Sequence, residues 1–370
     1  MAWFIGLMSG TSLDGIDGVA ADFDADGSLR RTGAHAHHAF DPALAAELLA
    51  LNRRGDDELR RAALAANALA RACADVVAVL LAQAGLEAAQ VVAVGAHGQT
   101  VRHRPHESDG TGYTVQLLNG ALLAECCGID VVCDFRSRDL AAGGEGAPLV
   151  PAFHAAALAR PGSARALLNL GGIANLTLLD AAGAVRGFDC GPANLLLDLW
   201  CQRHHGQPFD AGGTWAAGGT IDPGLLQRLL DEPYFARRPP KSTGRDLFGA
   251  AWLDPRIGTA PPAPQDVMAT LAELTAATVA HDLQREAPAT TELFVCGGGA
   301  FNGHLLSRLR ARLGPAVKVD TTAAAGLAPD QVEALAFAWL AASFVARRPG
   351  TLPAVTGARG ARVLGALYPA

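Results

Sequence analysis

The chain has 370 residues, half of them hydrophobic and 18% charged, with a net charge of −6 at neutral pH. That length suits about two domains with a large buried core, and the composition excludes a disordered chain. No run of Lys or Arg stands out, which argues against nucleic acid or an anionic membrane as a partner. Seven cysteines without a CxxC pair read as thiols in a reducing cytoplasm. Residues 1–4 lack the basic start of a signal peptide. The longest apolar helix candidate, residues 334–346, falls short of the ~20 residues that a membrane span needs. The expectation is a soluble cytoplasmic protein.

The first element is Phe4-Ile5-Gly6-Leu7-Met8, an apolar run that enters Ser9-Gly10-Thr11-Ser12-Leu13-Asp14-Gly15-Ile16-Asp17 and continues as a second apolar run. This pattern predicts strand, tight polar turn, strand. Such a turn is either an ordinary hairpin or a phosphate cradle. Its glycines permit close backbone approach, and Thr11 and Ser12 supply hydroxyl donors. Asp14 and Asp17 fit beside a phosphate only with a cation such as Mg²⁺ between them. His35, His37 and His38 follow in a loop or strand. No carboxylate or Cys lies near them at ligand spacing, so they read as solvated or packed rather than metal-binding.

Residues 42–84 are rich in Ala and Leu with Arg at intervals, which predicts two amphipathic helices. Val91-Val92-Ala93-Val94-Gly95-Ala96 is a buried-type strand. It ends in His97-Gly98-Gln99-Thr100, polar side chains at a carboxyl end, where open α/β sheets hold ligands. Residues 114–116 begin another strand, residues 120–127 a helix, and residues 129–135 a strand. The stretch Arg136-Ser137-Arg138-Asp139 and the glycine-rich residues 143–148 read either as a solvated loop or as a place for a substrate carboxylate on arginine.

Near Pro161 the pattern restarts. Residues 166–177 are again strand, turn and strand, with Gly171-Gly172 in the turn and Asn175 just after it. The likeness to the first hairpin is one of shape, weak evidence of duplication. Residues 185–188 lead into Asp189-Cys190-Gly191-Pro192-Ala193-Asn194 and a helix over 195–203, for which Asp189 is by local pattern a turn or cap residue. Residues 239–246 form a constrained basic loop, and residues 266–287 a helix. Residues 293–296 form a buried strand that ends in Gly297-Gly298-Gly299-Ala300-Phe301-Asn302, where a flat or anionic ligand can lie against the backbone. Glu333 sits in the first turn of a helix running to Arg347, a favourable place for an acid beside the helix dipole.

No GxxxxGK[ST] occurs, and no GxGxxG follows a strand. Two hairpin turns plus the GGGA turn resemble the sugar kinase, Hsp70 and actin superfamily. Met8-Ser9-Gly10-Thr11-Ser12-Leu13-Asp14-Gly15, His97-Gly98-Gln99-Thr100, Asn169-Leu170-Gly171-Gly172-Ile173-Ala174-Asn175, Phe188-Asp189-Cys190-Gly191-Pro192, Lys241-Ser242-Thr243-Gly244-Arg245 and Val355-Thr356-Gly357-Ala358 resemble, in order, the motifs of the anhydro-N-acetylmuramic acid kinase family. One departure is Ala193, where the family usually has Gly before the Asn.

The resemblance implies an α/β fold of two ribonuclease H-like domains with an ATP cleft between them, the actin-like ATPase and sugar kinase fold. The lobes are expected at residues 1–140 plus 345–370, and at 141–344. It implies conversion of 1,6-anhydro-N-acetylmuramic acid, water and ATP to N-acetylmuramic acid 6-phosphate and ADP, as in cell-wall sugar recycling. Asp189 is expected to be the base that activates the water. Residues Gly10, Thr11, Ser12, Leu13, Asp14, Gly15, Ile16 and Asp17, with Gly171, Gly172 and Asn175, are expected to hold phosphates. Gly297, Gly298, Gly299 and Asn302 are expected on the adenosine side, and Mg²⁺ at Asp14 and Asp17 through water. His97, Arg136, Asp139 and Glu333 are the candidates for the sugar. A homodimer is implied as well. The rival readings are a kinase of the same fold acting on another hexose or amino sugar, and a non-catalytic ATP-dependent binding protein.

Overall fold

The computed structural model describes residues 2–370 except Thr11, Ser12 and Pro261. Contacts divide the chain into two units, Met1–Ala157 with Gln331–Ala370, and Leu158–Asp330.

The first unit is built on strands β1 (Trp3–Met8), β2 (Gly15–Phe23), β3 (Leu29–Ala39), β4 (Val91–Ala96) and β7 (Val131–Cys133). The sheet runs β3-β2-β1-β4-β7, with the C-terminal strand Ala366–Tyr368 added beyond β7. β1, β2 and β3 form an antiparallel meander, and β4 and β7 are parallel to β1. The expected strand-turn-strand at the N-terminus is therefore a true hairpin. The residues after His97, expected only as a polar strand end, extend into β5 (Gln99–Pro105). It pairs with β6 (Gly112–Leu117) in a separate two-stranded ribbon.

The second unit carries β8 (Arg165–Leu170), β9 (Ile173–Leu179), β10 (Val185–Pro192), β11 (Glu292–Cys296) and β12 (Lys318–Thr321). Their order is β10-β9-β8-β11-β12. Again three strands form an antiparallel meander and two are parallel to the first. Both units thus have the ribonuclease H-like order third-second-first-fourth-fifth. The repeat that the sequence carries only in the shape of two turns is a repeat of whole sheets.

Two glycines set how the first sheet is covered. A Cβ on Gly6 would lie 1.9 Å from the Ala334 carbonyl oxygen, and one on Gly95 would lie 2.1 Å from that of Phe337. The helix Val332–Val345 therefore rests directly on the backbone of β1 and β4, as only glycine allows. This packing assigns the helix to the first unit, so the division falls before Gln331 and not near 345. Residues 143–146 also belong to the first unit. Arg136 donates to the Gly146 carbonyl at 2.7 Å, and the Glu145 N–H to that of Thr356 at 2.8 Å.

The helix Glu58–Ala84 corrects the reading of apolar lengths. It has 27 residues and is long and apolar enough to cross a membrane by length and composition alone. Its stripe Leu69, Cys73, Val76, Val77 and Leu80 is buried in the first unit's core. Each such side chain contributes about 1.5–3 kcal/mol of apolar burial. Two further clusters fill the second unit. One lies around Leu168, Leu176, Val279, Leu293 and Leu309. The other lies around Leu197, Trp200, Phe248 and Leu271.

Candidate active site

In the first unit, the turn after β1 is clamped by the end of β4. The His97 N–H donates to the Leu7 carbonyl at 3.0 Å, and Ser9 Oγ donates to the Gly98 carbonyl at 3.0 Å. Gln99 Nε2 donates to the Gly10 carbonyl at 3.1 Å. Two motifs nearly ninety residues apart in sequence thus form one structure. Leu13 in this turn sits at φ +59°, the left-handed region that non-glycine residues rarely adopt. Such backbone persists where the surroundings over-determine it. Thr11 and Ser12, both expected to hold phosphate, lie outside the described residues. Ile16 is buried in the core, so only its main chain could face a ligand. Gly15 pairs with Ala39 inside the sheet, and a Cβ there would strike the His38 carbonyl at 2.3 Å.

His97 has both ring nitrogens engaged. Nδ1 lies 3.3 Å from the Ser9 carbonyl, and Nε2 lies 2.9 Å and 3.2 Å from two Arg136 nitrogens. Arginine only donates, so Nε2 accepts and Nδ1 carries the proton. Burial and the neighbouring Arg136 hold His97 neutral, with a pKa near 3. His97 therefore orients Arg136, where the sequence reading made it a direct sugar ligand. Burial lowers the Arg136 pKa to about 10, and Glu333 and Asp139 oppose that shift.

Asp139 is fully buried. Its carboxylate accepts from the Gly146 N–H at 2.7 Å, from Thr356 Oγ1 at 2.8 Å and from Thr351 Oγ1 at 3.1 Å. It is a structural anchor for the C-terminal segment, which leaves it no face for a sugar. The motif Val355-Thr356-Gly357-Ala358 finds its reason here.

Glu333, partly buried, begins the helix that rests on β1 and β4. Burial raises its pKa, as do Asp17 and Asp14, while Arg136 lowers it. Three acids and one arginine therefore share an electrostatic neighbourhood. The β2–β3 register sets Asp17 opposite His37. His37 Nδ1 lies 2.9 Å from Asp17 Oδ1 and His35 Nε2 lies 3.7 Å from it. Burial works to raise the Asp17 pKa, but the hydrogen bonds to His35 and His37 prevail and lower it. His35 and His37 thus have a carboxylate partner that local spacing did not show. Among the described residues no group of three or more His, Cys, Asp or Glu could hold a metal ion by itself.

In the second unit, the register aligns Asn169, Asn175 and Asp189 side by side across β8, β9 and β10. Directly opposed residues share one face of a sheet, so a polar row forms beside the Gly171-Gly172 turn. That turn is tied to the helix Asn194–His205. The Asn194 N–H donates to the Gly171 carbonyl at 3.0 Å and Asn194 Nδ2 to the Leu170 carbonyl at 2.9 Å. A Cβ on Gly171 would make only an ordinary contact, 3.8 Å from the Ile173 carbonyl oxygen.

Asp189 is held at three points. Its N–H donates to the Lys241 carbonyl at 3.1 Å. Its own carbonyl accepts from the Tyr234 hydroxyl at 2.8 Å. Its Oδ2 accepts from the Thr243 N–H at 3.0 Å. Among the described residues Oδ1 takes no hydrogen bond. Burial raises its pKa to about 6, against the Thr243 N–H and the Lys241 charge, which lower it. A carboxylate with one oxygen fixed, one available and a proton affinity near neutrality suits general-base work. Thr243, Lys241 and Tyr234 were missed as site residues because only folding brings them to β10, although Lys241-Ser242-Thr243 had stood out as a motif.

The GGGA turn is split in role. A Cβ on Gly297 would strike Asn169 Oδ1 at 2.3 Å, and one on Gly299 would strike Leu170 Cβ at 2.5 Å. These two glycines let the turn pack on β8, whereas Gly298 is exposed, a Cβ there meeting only Asn194 Nδ2 at 3.8 Å. Asn302 caps the helix Gly303–Leu313, its Oδ1 accepting from the Leu305 N–H at 2.9 Å. Its side-chain oxygen is thus committed to the fold.

With this geometry in place, comparison with known proteins adds an independent finding. The family model described as anhydro-N-acetylmuramic acid kinase matches residues 2–370. A protein of that name from Variovorax paradoxus is 62% identical, with 99% of each chain covered. Those from Bordetella petrii and Albidiferax ferrireducens are 61% and 56% identical. They cover 99% of this chain each, and 96% and 99% of their own lengths.

Proposed function

The chain belongs to the anhydro-N-acetylmuramic acid kinase family, and from that premise we propose its reaction. ATP, water and 1,6-anhydro-N-acetylmuramic acid give N-acetylmuramic acid 6-phosphate and ADP, with the 1,6-anhydro ring opened in the same turnover. The observation that carries the reading is Asp189, half-buried, fixed through Oδ2 and its main chain, with Oδ1 available. Oδ1 takes a proton from water as that water attacks C1. The C1–O6 bond breaks, and the freed O6 becomes the nucleophile toward the γ-phosphorus. Little covalent work falls to a protein in phosphoryl transfer, so positioning and charge neutralisation dominate.

Phosphates are assigned to the Ser9–Gly15 turn of the first unit and to Gly171, Gly172 and Asn175 of the second. The adenosine side is assigned to the exposed face of Gly298. A Mg²⁺ ion, when bound, would neutralise phosphate charge. It commonly takes one or two carboxylates, with waters and phosphate oxygens completing its shell. Asp14, exposed at the turn, and Asp17, whose Oδ1 meets His37, would hold it through water. Arg136, oriented by His97, and Glu333 are assigned to the sugar, with Arg136 on its lactyl carboxylate. We place the chain in the cytoplasm as a homodimer, a state that sedimentation tests.

The decisive experiment couples ADP release to the two sugars. Turnover is expected with the anhydro sugar and not with N-acetylmuramic acid, which has no ring to open. Equal turnover of both would favour an ordinary amino-sugar kinase. Asp189→Asn should lose about 10²–10⁴-fold in kcat.

A further inference from the structure

The second unit contains a buried charge that the reaction as proposed does not use. Lys241 and Asp282 are 1% and 2% exposed in their side chains, with Nζ to Oδ2 at 2.7 Å. Arg285 donates to the other Asp282 oxygen at 2.9 Å. Lys241 Nζ also lies 5.1 Å from the Tyr234 ring centroid and 5.9 Å from that of Phe188. Replacing a buried ion pair by apolar residues is commonly neutral or stabilising, so stability alone is a poor reason to keep one.

We propose that Lys241 is a positioning residue for Asp189, pinned by Asp282 so that the main chain of residues 241–243 aims the base and a fixed positive charge stands behind it. This rests on the proposed role of Asp189. The contacts are direct: the Lys241 carbonyl takes the Asp189 N–H, and the Thr243 N–H fixes Oδ2. The Tyr234 hydroxyl, whose ring lies against the ammonium, holds the Asp189 carbonyl. Lysine thus reaches the base through its own main chain, through the residue two positions on, and through the tyrosine.

The charged and titratable groups around Asp189 come from four elements. They are Cys190 on β10, Tyr234 in the turn Pro233–Ala236, Lys241 in its loop, and Asp282 with Arg285 on the helix Pro264–Glu286. Of these, the ammonium is the one whose charge favours an ionised Asp189.

The test uses the full chain with Lys241→Met, Lys241→Arg and the double variant Lys241→Met/Asp282→Asn. The double variant removes both charges of the buried pair and leaves Arg285 on Glu286 at 2.9 Å, so it keeps the test alive where Lys241→Met alone does not fold. Two readouts are taken: kcat/KM for the anhydro sugar from pH 5 to 9, and the titration midpoint of the ¹³C-labelled Asp189 carboxyl by NMR. Loss of the ammonium should move the acid limb and the NMR midpoint up together by about one unit, a roughly tenfold loss of kcat/KM below pH 6 that fades toward pH 8. Lys241→Arg should lie close to wild type. A uniform loss at every pH with an unmoved midpoint would reduce Lys241 to a structural role and overturn the proposal. The NMR midpoint needs no turnover. Failure of the wild type to act on the anhydro sugar would therefore count against the proposed reaction, and an unmoved midpoint against Lys241.

Discussion

Replacing Asp189 by Asn should cut turnover sharply and at the same time stabilise the fold. Burial raises the Asp189 pKa from its ordinary 3.8 to about 6. Above pH 6 the folded state therefore bears the cost of an ionised carboxylate that the unfolded chain carries freely. Two units correspond to about 3 kcal/mol. The residue is partly exposed, so solvent screening trims this to on the order of 1–2 kcal/mol. Asn keeps an oxygen for the Thr243 N–H and removes the charge. The sign is fixed by linkage: between pH 3.8 and 6 the folded state binds more protons than the unfolded one, so wild-type stability falls as pH rises through that window. The variant should be the more stable protein at pH 7.5, and the difference should shrink toward zero at pH 4. Urea denaturation at a series of pH values measures it, with m-values compared to confirm like-for-like unfolding. A variant no more stable than wild type at pH 7.5, or an advantage that persists at pH 4, would refute the reasoning.

Asp139→Ala should cost roughly 3 kcal/mol or more, because three donors lose a buried acceptor, and denaturant midpoints will show it. Gly95→Ala should destabilise by on the order of 3 kcal/mol, since the new methyl group meets main chain and the helix must lift. A midpoint shift equivalent to less than about 0.5 kcal/mol would contradict that packing. Glu333→Gln should raise KM for the sugar about tenfold or more, the loss expected for one charge-assisted hydrogen bond. It should not lower stability at neutral pH, since burial already disfavours the charged form.

Much of the fold was legible because its signals are local. Apolar runs broken by Gly, Ser and Asp gave both hairpins, and the strand ending in Gly297 was plain from Leu293-Phe294-Val295-Cys296. What stayed hidden depends on register or on distant contact. Nothing near His37 in sequence announces Asp17; the β2–β3 pairing brings it there. Asp139 looked like part of a polar loop, yet two of its three partners lie 212 and 217 residues away. Lys241 and Asp282 are 41 residues apart and meet only inside the second unit. The two helices expected over residues 42–84 are present as Pro42–Ala50 and Glu58–Ala84, but the apolar length of the second was passed over in favour of residues 334–346. The base itself had no local mark, since an Asp before a helix is most often a cap. Its unusual proton affinity comes from burial that only the packed unit supplies.

The first unit is assembled from both ends of the chain, with the second inserted between them. During synthesis all of residues 158–330 are made before the helix that covers β1 and β4. The inserted unit can therefore begin folding while the earlier one still lacks the cover over Gly6 and Gly95. Folding chaperones would meet the nascent chain at that face, and a ribosome stalled before residue 345 would leave it uncovered.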